Sequence, residues 1–174
     1  EKLKLNSEQT NQWKEYWKAK KNFLYFLQNY VLIQDRTKEQ TVKWEAWPYL
    51  IWLARIFLEK KLIVIIKARQ LGISWLVCAY CYWKAKFHDN VKVLFLSQGE
   101  DEAFDLIAKC VFIDNNIPSW MQSPRSPDQR GFIGFPSTSS EIKALPSTEK
   151  AGRSTDATIV VPDEWEYHPY AEAT

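Results

Sequence analysis

Apolar positions recur at helical spacing from Trp13, Tyr16 and Trp17 through Phe23, Phe26, Leu27, Tyr30 and Val31. Residues 7–34 are therefore expected to form one long helix or two, with Ser7 as N-cap and Gln9 or Thr10 in the first turn. The polar run Q-D-R-T-K-E-Q-T-V-K at 34–43 reads as a linker. A second helix is expected over Trp44–Lys60, with Pro48 suited to its first turn. Five apolar, mostly β-branched residues, Leu62 to Ile66, follow and predict a strand buried on both faces. Ile73–Phe87 reads as an apolar helix and Val91–Leu96 as a buried strand. Glu100–Ile113 reads as a helix whose opening acids suit the positive helix end. Residues 118–130 form a Pro- and Ser-rich loop, and Phe132–Phe135 with Glu141–Leu145 predict a hairpin or meander. Lys150-Ala151-Gly152-Arg153-Ser154 reads as a flexible basic loop before a last strand, T-I-V-V-P-D-E, at 158–164.

Strands alternate with helices through residues 61–115, which predicts parallel βαβ units and an open, mainly parallel α/β sheet. Such sheets bind ligands outside the carboxyl ends of their strands. The 174 residues suffice for one domain, and a net charge of +2 gives no global argument for a polyanionic partner. Three cysteines, Cys78, Cys81 and Cys110, point to a reducing compartment rather than a disulfide framework. Cys78 and Cys81 fall inside a predicted helix without a second ligand pair, so they read as packing. No apolar run reaches the roughly 18 residues that a membrane span needs. Lys14, Lys18, Lys20 and Lys21 crowd the polar side of the first helix, either as a solvated face or as a lid, DNA-facing or partner-facing surface.

The candidate chemistry lies between Lys67 and Ser74, K-A-R-Q-L-G-I-S. A strand, a short turn with Gly72 and a helix start are the parts of a phosphate cradle, built from backbone amides and a positive helix end. Against the usual G-x-x-x-x-G-K-[ST], Lys67 stands at the first Gly, Gly72 at the second, Ile73 at the Lys and Ser74 at the hydroxyl. Lys67 or Arg69 is then the cation that Ile73 cannot be. The plainer alternative is an ordinary strand–helix joint with a basic turn. The second strand ends in Asp163 and Glu164. A first carboxylate there suits Mg²⁺, and a second suits the orientation of an attacking water. Lys67 and Asp163 both fall at carboxyl ends of predicted strands, so the two motifs are expected to face one ligand.

K-A-R-Q-L-G-I-S-W followed by V-V-P-D-E-W-E resembles the ATPase domain of the large terminase subunit, the DNA-packaging motor of tailed bacteriophages, over roughly residues 44–168. Pro162 departs from that pattern. The resemblance implies a RecA-like P-loop NTPase fold, with 1–43 as an N-terminal helical, lid-like segment and 44–174 as the ATPase core. ATP and Mg²⁺ are the implied cofactors. Lys67, Ala68, Arg69, Gln70, Leu71, Gly72, Ile73 and Ser74 would hold the phosphates, and Ser74 and Asp163 the metal. Glu164, Arg153 and Lys67 are the implied catalytic residues, with Arg153 acting as an arginine finger across a subunit boundary. Trp47 and Tyr49 occupy the segment that holds adenine in this family, and serve either there or in packing that helix onto the sheet. The implied partners are double-stranded DNA, the portal of the procapsid, the small terminase subunit and further copies in a ring, in the host cytoplasm and without a membrane.

Two other classes remain: a helicase-like nucleic-acid translocase, and a non-catalytic scaffold whose loop has lost its lysine. In this class of ATPase a later strand normally separates the phosphate-loop strand from the acidic strand. Ten residues, Trp165–Thr174, follow Glu164, and a parallel crossover needs roughly a dozen. The expectation is a chain cut after the acidic strand, with the family's nuclease absent. Its sheet is then expected to have an empty lane between residues 62–67 and 158–163, or an abnormal pairing that closes it.

Overall fold

The computed structural model describes residues 6–35, 39–68, 70–146 and 156–163. Helix α1 (Ser7–Lys21) starts one residue earlier than the sequence suggests. The Asn6 side chain accepts from the Gln9 amide at 2.7 Å, while the Gln9 side chain accepts from the Asn6 amide at 3.0 Å. This reciprocal pair satisfies two amides that a helix start leaves open. Asn22 then ends α1 and caps α2 (Phe23–Tyr30), accepting from the Tyr25 amide at 3.0 Å. Of the expected linker at 34–43, Gln34 and Asp35 belong to β1 (Leu32–Asp35) and the end forms β2 (Gln40–Lys43), antiparallel to it with Ile33 opposite Val42, while 36–38 lie outside the described residues. The polar residues of these short strands are held by pairing across the two, with Ile33 packed against the core, which the composition of 34–43 does not register.

Helix α3 (Pro48–Glu59) begins with Pro48 directly after its cap residue Trp47. The segment after it corrects the strongest strand expectation. Residues 62–68 pair with no strand, and none of their backbone groups bonds to another described backbone. Ile63 and Ile65 pack against the core, whereas Leu62, Val64 and Ile66 are 88%, 83% and 99% exposed. The apolar run is thus an extended chain covered on one side. A strand needs a partner for its N–H and C=O groups, and the described residues supply none here.

Helix α4 (Ile73–Phe87) follows, then β3 (Lys92–Ser97), α5 (Glu100–Asn116), β4 (Asp128–Gln129), β5 (Phe132–Phe135), β6 (Ser140–Pro146) and β7 (Ile159–Pro162). The second sheet has the order β4-β5-β6-β3-β7. Pairings β3–β6 and β3–β7 are parallel, while β4–β5 and β5–β6 are antiparallel. The sheet is therefore mixed rather than mainly parallel, because the 132–145 hairpin joins it instead of standing apart. Strand β7 is its last member, and no described strand lies beyond it.

Opposite Leu96 in that last pairing stands Pro162, which has no N–H to give. In a parallel ladder a carbonyl accepts from the amide one residue beyond its partner, and the Leu96 carbonyl does so from Asp163 at 2.9 Å. The position that Pro162 leaves without an N–H faces away from β3, where no described strand lies, so the departure costs this pairing no hydrogen bond.

One apolar cluster joins the helices to the sheet. Phe23 and Phe26 from α2, Leu76 and Tyr82 from α4, Leu106 and Ile113 from α5, and Val93 and Phe95 from β3 are all within it. Helices α4 and α5 pack on each other and on β3 and β6. Cys78 and Cys110 lie in that seam, each donating its thiol to a carbonyl at 3.5 Å, on Leu106 and Cys78 respectively. Burial pushes the Cys81 and Cys110 thiols well above their ordinary range. Among the described residues no helix is long and apolar enough to cross a membrane.

Candidate functional site

The turn before α4 is shaped by two residues in the left-handed region, Gln70 at φ 63° and Gly72 at φ 72°. Glycine carries no Cβ penalty there. Gly72 is the N-cap of α4 and supplies no side-chain cap, so the first amides of the helix keep their donors for an outside acceptor. Ser74 lies in that first turn. Tyr49 on α3 donates its hydroxyl to the Leu71 carbonyl at 2.9 Å and so ties the turn down from outside.

Lys67, Ala68, Gln70, Leu71, Gly72, Ile73 and Ser74 line one cavity of about 460 Å³. That is within the usual size of small-molecule sites, roughly 300–1,000 Å³. Its far wall is α5, with Asp105, Ala108, Lys109 and Phe112, and Gln34 from β1 closes one side. Residues 105, 108, 109 and 112 have the i, i+3, i+4, i+7 spacing of one helix face. The Lys109 ammonium sits back on the Asp105 carbonyl at 3.2 Å. Two lysines from different elements, a hydroxyl and an uncapped helix start therefore border one space with a single carboxylate, Asp105, so the positive groups among the described lining residues outnumber the negative. Such a set favours an anionic group, through charge and through directed amides.

Not every expected residue joins it. Trp47 and Tyr49 do not line the cavity. Trp47 is 53% exposed, gives its indole N–H to Glu45 at 2.6 Å and meets Tyr49 edge to face. Asp163 follows β7 and is not among the residues that line the cavity. Arg69, Arg153 and Glu164 lie outside the described residues. Gln34, Asp105 and Lys109 were missed by sequence reasoning. The helical stripe on α5 was legible, but nothing in it says which element the stripe faces.

No protein-family model matches the chain, and no curated protein matches it in sequence. The functional case therefore stands on the cavity and on the two motifs.

Proposed function

We propose that this chain is an Mg²⁺-dependent ATPase module of the P-loop class, resembling the motor domain of a phage large terminase subunit that drives duplex DNA into a procapsid. One observation carries the reading: the phosphate-loop candidates Lys67, Ala68 and Gln70–Ser74 line a single cavity at the uncapped start of α4. The donor set fits a polyphosphate, with amides and the Ser74 hydroxyl on one side and the Lys67 ammonium at the loop's entry. Lys67 binds and neutralises phosphate charge where the usual lysine position holds Ile73. Asp163 and Glu164 are assigned to the metal and the lytic water by the acidic motif alone. When bound, Mg²⁺ would supply Lewis-acid stabilisation of the phosphoryl oxygens.

The testing experiment measures binding of a fluorescent ATP analogue and ATP turnover on the full chain, with and without duplex DNA. Lys67→Ala and Ser74→Ala are expected to weaken both, and wild-type protein that neither binds nor hydrolyses ATP ends the reading. A second reading, nucleotide binding without turnover, is favoured because neither carboxylate of the acidic motif is among the described residues lining the cavity. Tight Mg²⁺-independent binding with no hydrolysis selects it.

A further inference from the structure

Helix α1 divides its residues cleanly. On one side Ala19 is fully buried, the Trp83 indole donates to the Ala19 carbonyl at 2.8 Å, and Tyr16 meets Phe87 edge to face. Glu15 turns toward α2, where it accepts from the Tyr25 and Tyr30 hydroxyls and from Lys18 at 2.7 Å. Those donors hold its carboxyl down at about 2, so it stays charged and engaged. The other side is free of acids from Thr10 onward and carries Trp13, Lys14, Trp17 and Lys21, all exposed. Trp13 is 57% exposed and Trp17 37%, their rings 5.8 Å apart, and the Lys20 and Lys21 ammoniums lie over Trp17 at 5.3 Å and 5.7 Å.

The macrodipole accounts for lysines in the last turn. It does not account for two indoles held in water among them, since the helix already buries its other face. We propose that this Trp13–Lys21 face of α1 docks the phosphodiester backbone of a nucleic acid, with Lys14 and Lys21 on phosphates and the indoles against the sugar and base edges. Lysine with exposed aromatic rings is the chemistry that tracks such a strand. From Trp13 to Lys21 the face runs about 12 Å along the helix axis, or about three nucleotide steps at about 3.4 Å of rise each. An anionic membrane surface fits less well, because a helix lying on lipid needs a free apolar face, and α1 has spent its own on the core. The proposal deepens the motor reading by naming a track-facing surface, but binding is read without ATP, so the two fail separately.

The test is fluorescence anisotropy of a labelled 20-nucleotide single strand and its duplex against the full chain, across a salt series. Lys14→Glu/Lys21→Glu is expected to weaken both arms about tenfold or more at low salt and to flatten the salt slope by about 1.4–1.8. Lys43→Glu/Lys92→Glu, with the same charge change on β2 and β3, is expected to lose far less. Trp13→Ala that weakens the single strand by about 5- to 150-fold identifies unpaired bases as the stacked partner. Trp13→Ala that is silent on both arms overturns the indole contact with sugar and bases, even with the lysine loss intact. Circular dichroism checks that each variant is folded. The proposal is overturned if wild-type protein binds neither arm at about 50 mM salt, a concentration at which phosphate contacts are strong. It also falls if the control pair loses as much as the α1 pair, or if the α1 pair affects only binding to phosphatidylserine vesicles.

Discussion

At the scale of single residues the turn before α4 depends on one hydroxyl. Tyr49 was read from the sequence as an adenine platform or a packing residue; its observed contact is the Leu71 carbonyl at 2.9 Å. Tyr49→Phe keeps the ring against Trp47 and removes only that bond. Its expected cost is about 0.5–1.5 kcal/mol, read by urea denaturation, with weaker nucleotide binding because Leu71 sits in the cavity wall. If nucleotide affinity and stability both match wild type, the bond does not hold the turn. Gly72 was read from the sequence as part of a phosphate-cradle turn, and its φ of 72° is the left-handed geometry that favours glycine there. Gln70 shares the left-handed region at φ 63° without any such signal in its side chain. The sequence shows where a glycine is needed more clearly than where another residue is strained.

At the scale of elements, what fastens the 117–128 loop is a buried charge network. Asp114 on α5 accepts from the Tyr82 hydroxyl at 2.5 Å and from Arg125, and the Lys86 ammonium lies 3.6 Å away. Lys86 also donates to Ser123 at 2.6 Å, and Arg125 reaches Asp128 at 3.0 Å. Burial pulls the Lys86 ammonium below its ordinary value, with Asp114 opposing that shift. Asp114→Ala leaves two cations facing each other with little water, and is expected to cost about 3–5 kcal/mol. Lys86→Met/Asp114→Ala should recover part of that loss, since it removes one stranded charge. Strictly additive losses in urea denaturation would mean that the pair does not interact. None of this network was visible in the sequence, where Lys86 and Asp114 stand 28 positions apart on two helices. The helices themselves were legible: α4 begins and ends at the expected Ile73 and Phe87. Local periodicity fixes an element, while the partner of each charged side chain is set by how elements pack.

At the scale of the whole molecule, the same distinction explains why Leu62–Ile66 misled. A continuous apolar run says that both faces can be covered, and only the surrounding sheet decides whether they are. Ile63 and Ile65 join the cluster that Ile159 and Val161 of β7 also touch, while Leu62, Val64 and Ile66 face out. Strand β7 repeats the pattern, with Val160 51% exposed between those two half-buried residues. If the outward side is open in solution, Leu62→Ser/Val64→Thr/Ile66→Ser should change stability by only about 0.5 kcal/mol per site, as for surface positions. Ile63→Ala/Ile65→Ala should cost several-fold more, because each deletes methyl groups from a packed surface. Urea denaturation of the two sets, with wild-type secondary structure confirmed first, gives the comparison. The outward set should also resist self-association better at high concentration, since unpaired apolar strands recruit one another. A loss from the outward triple as large as that from the inward pair would mean that Leu62, Val64 and Ile66 are covered in solution.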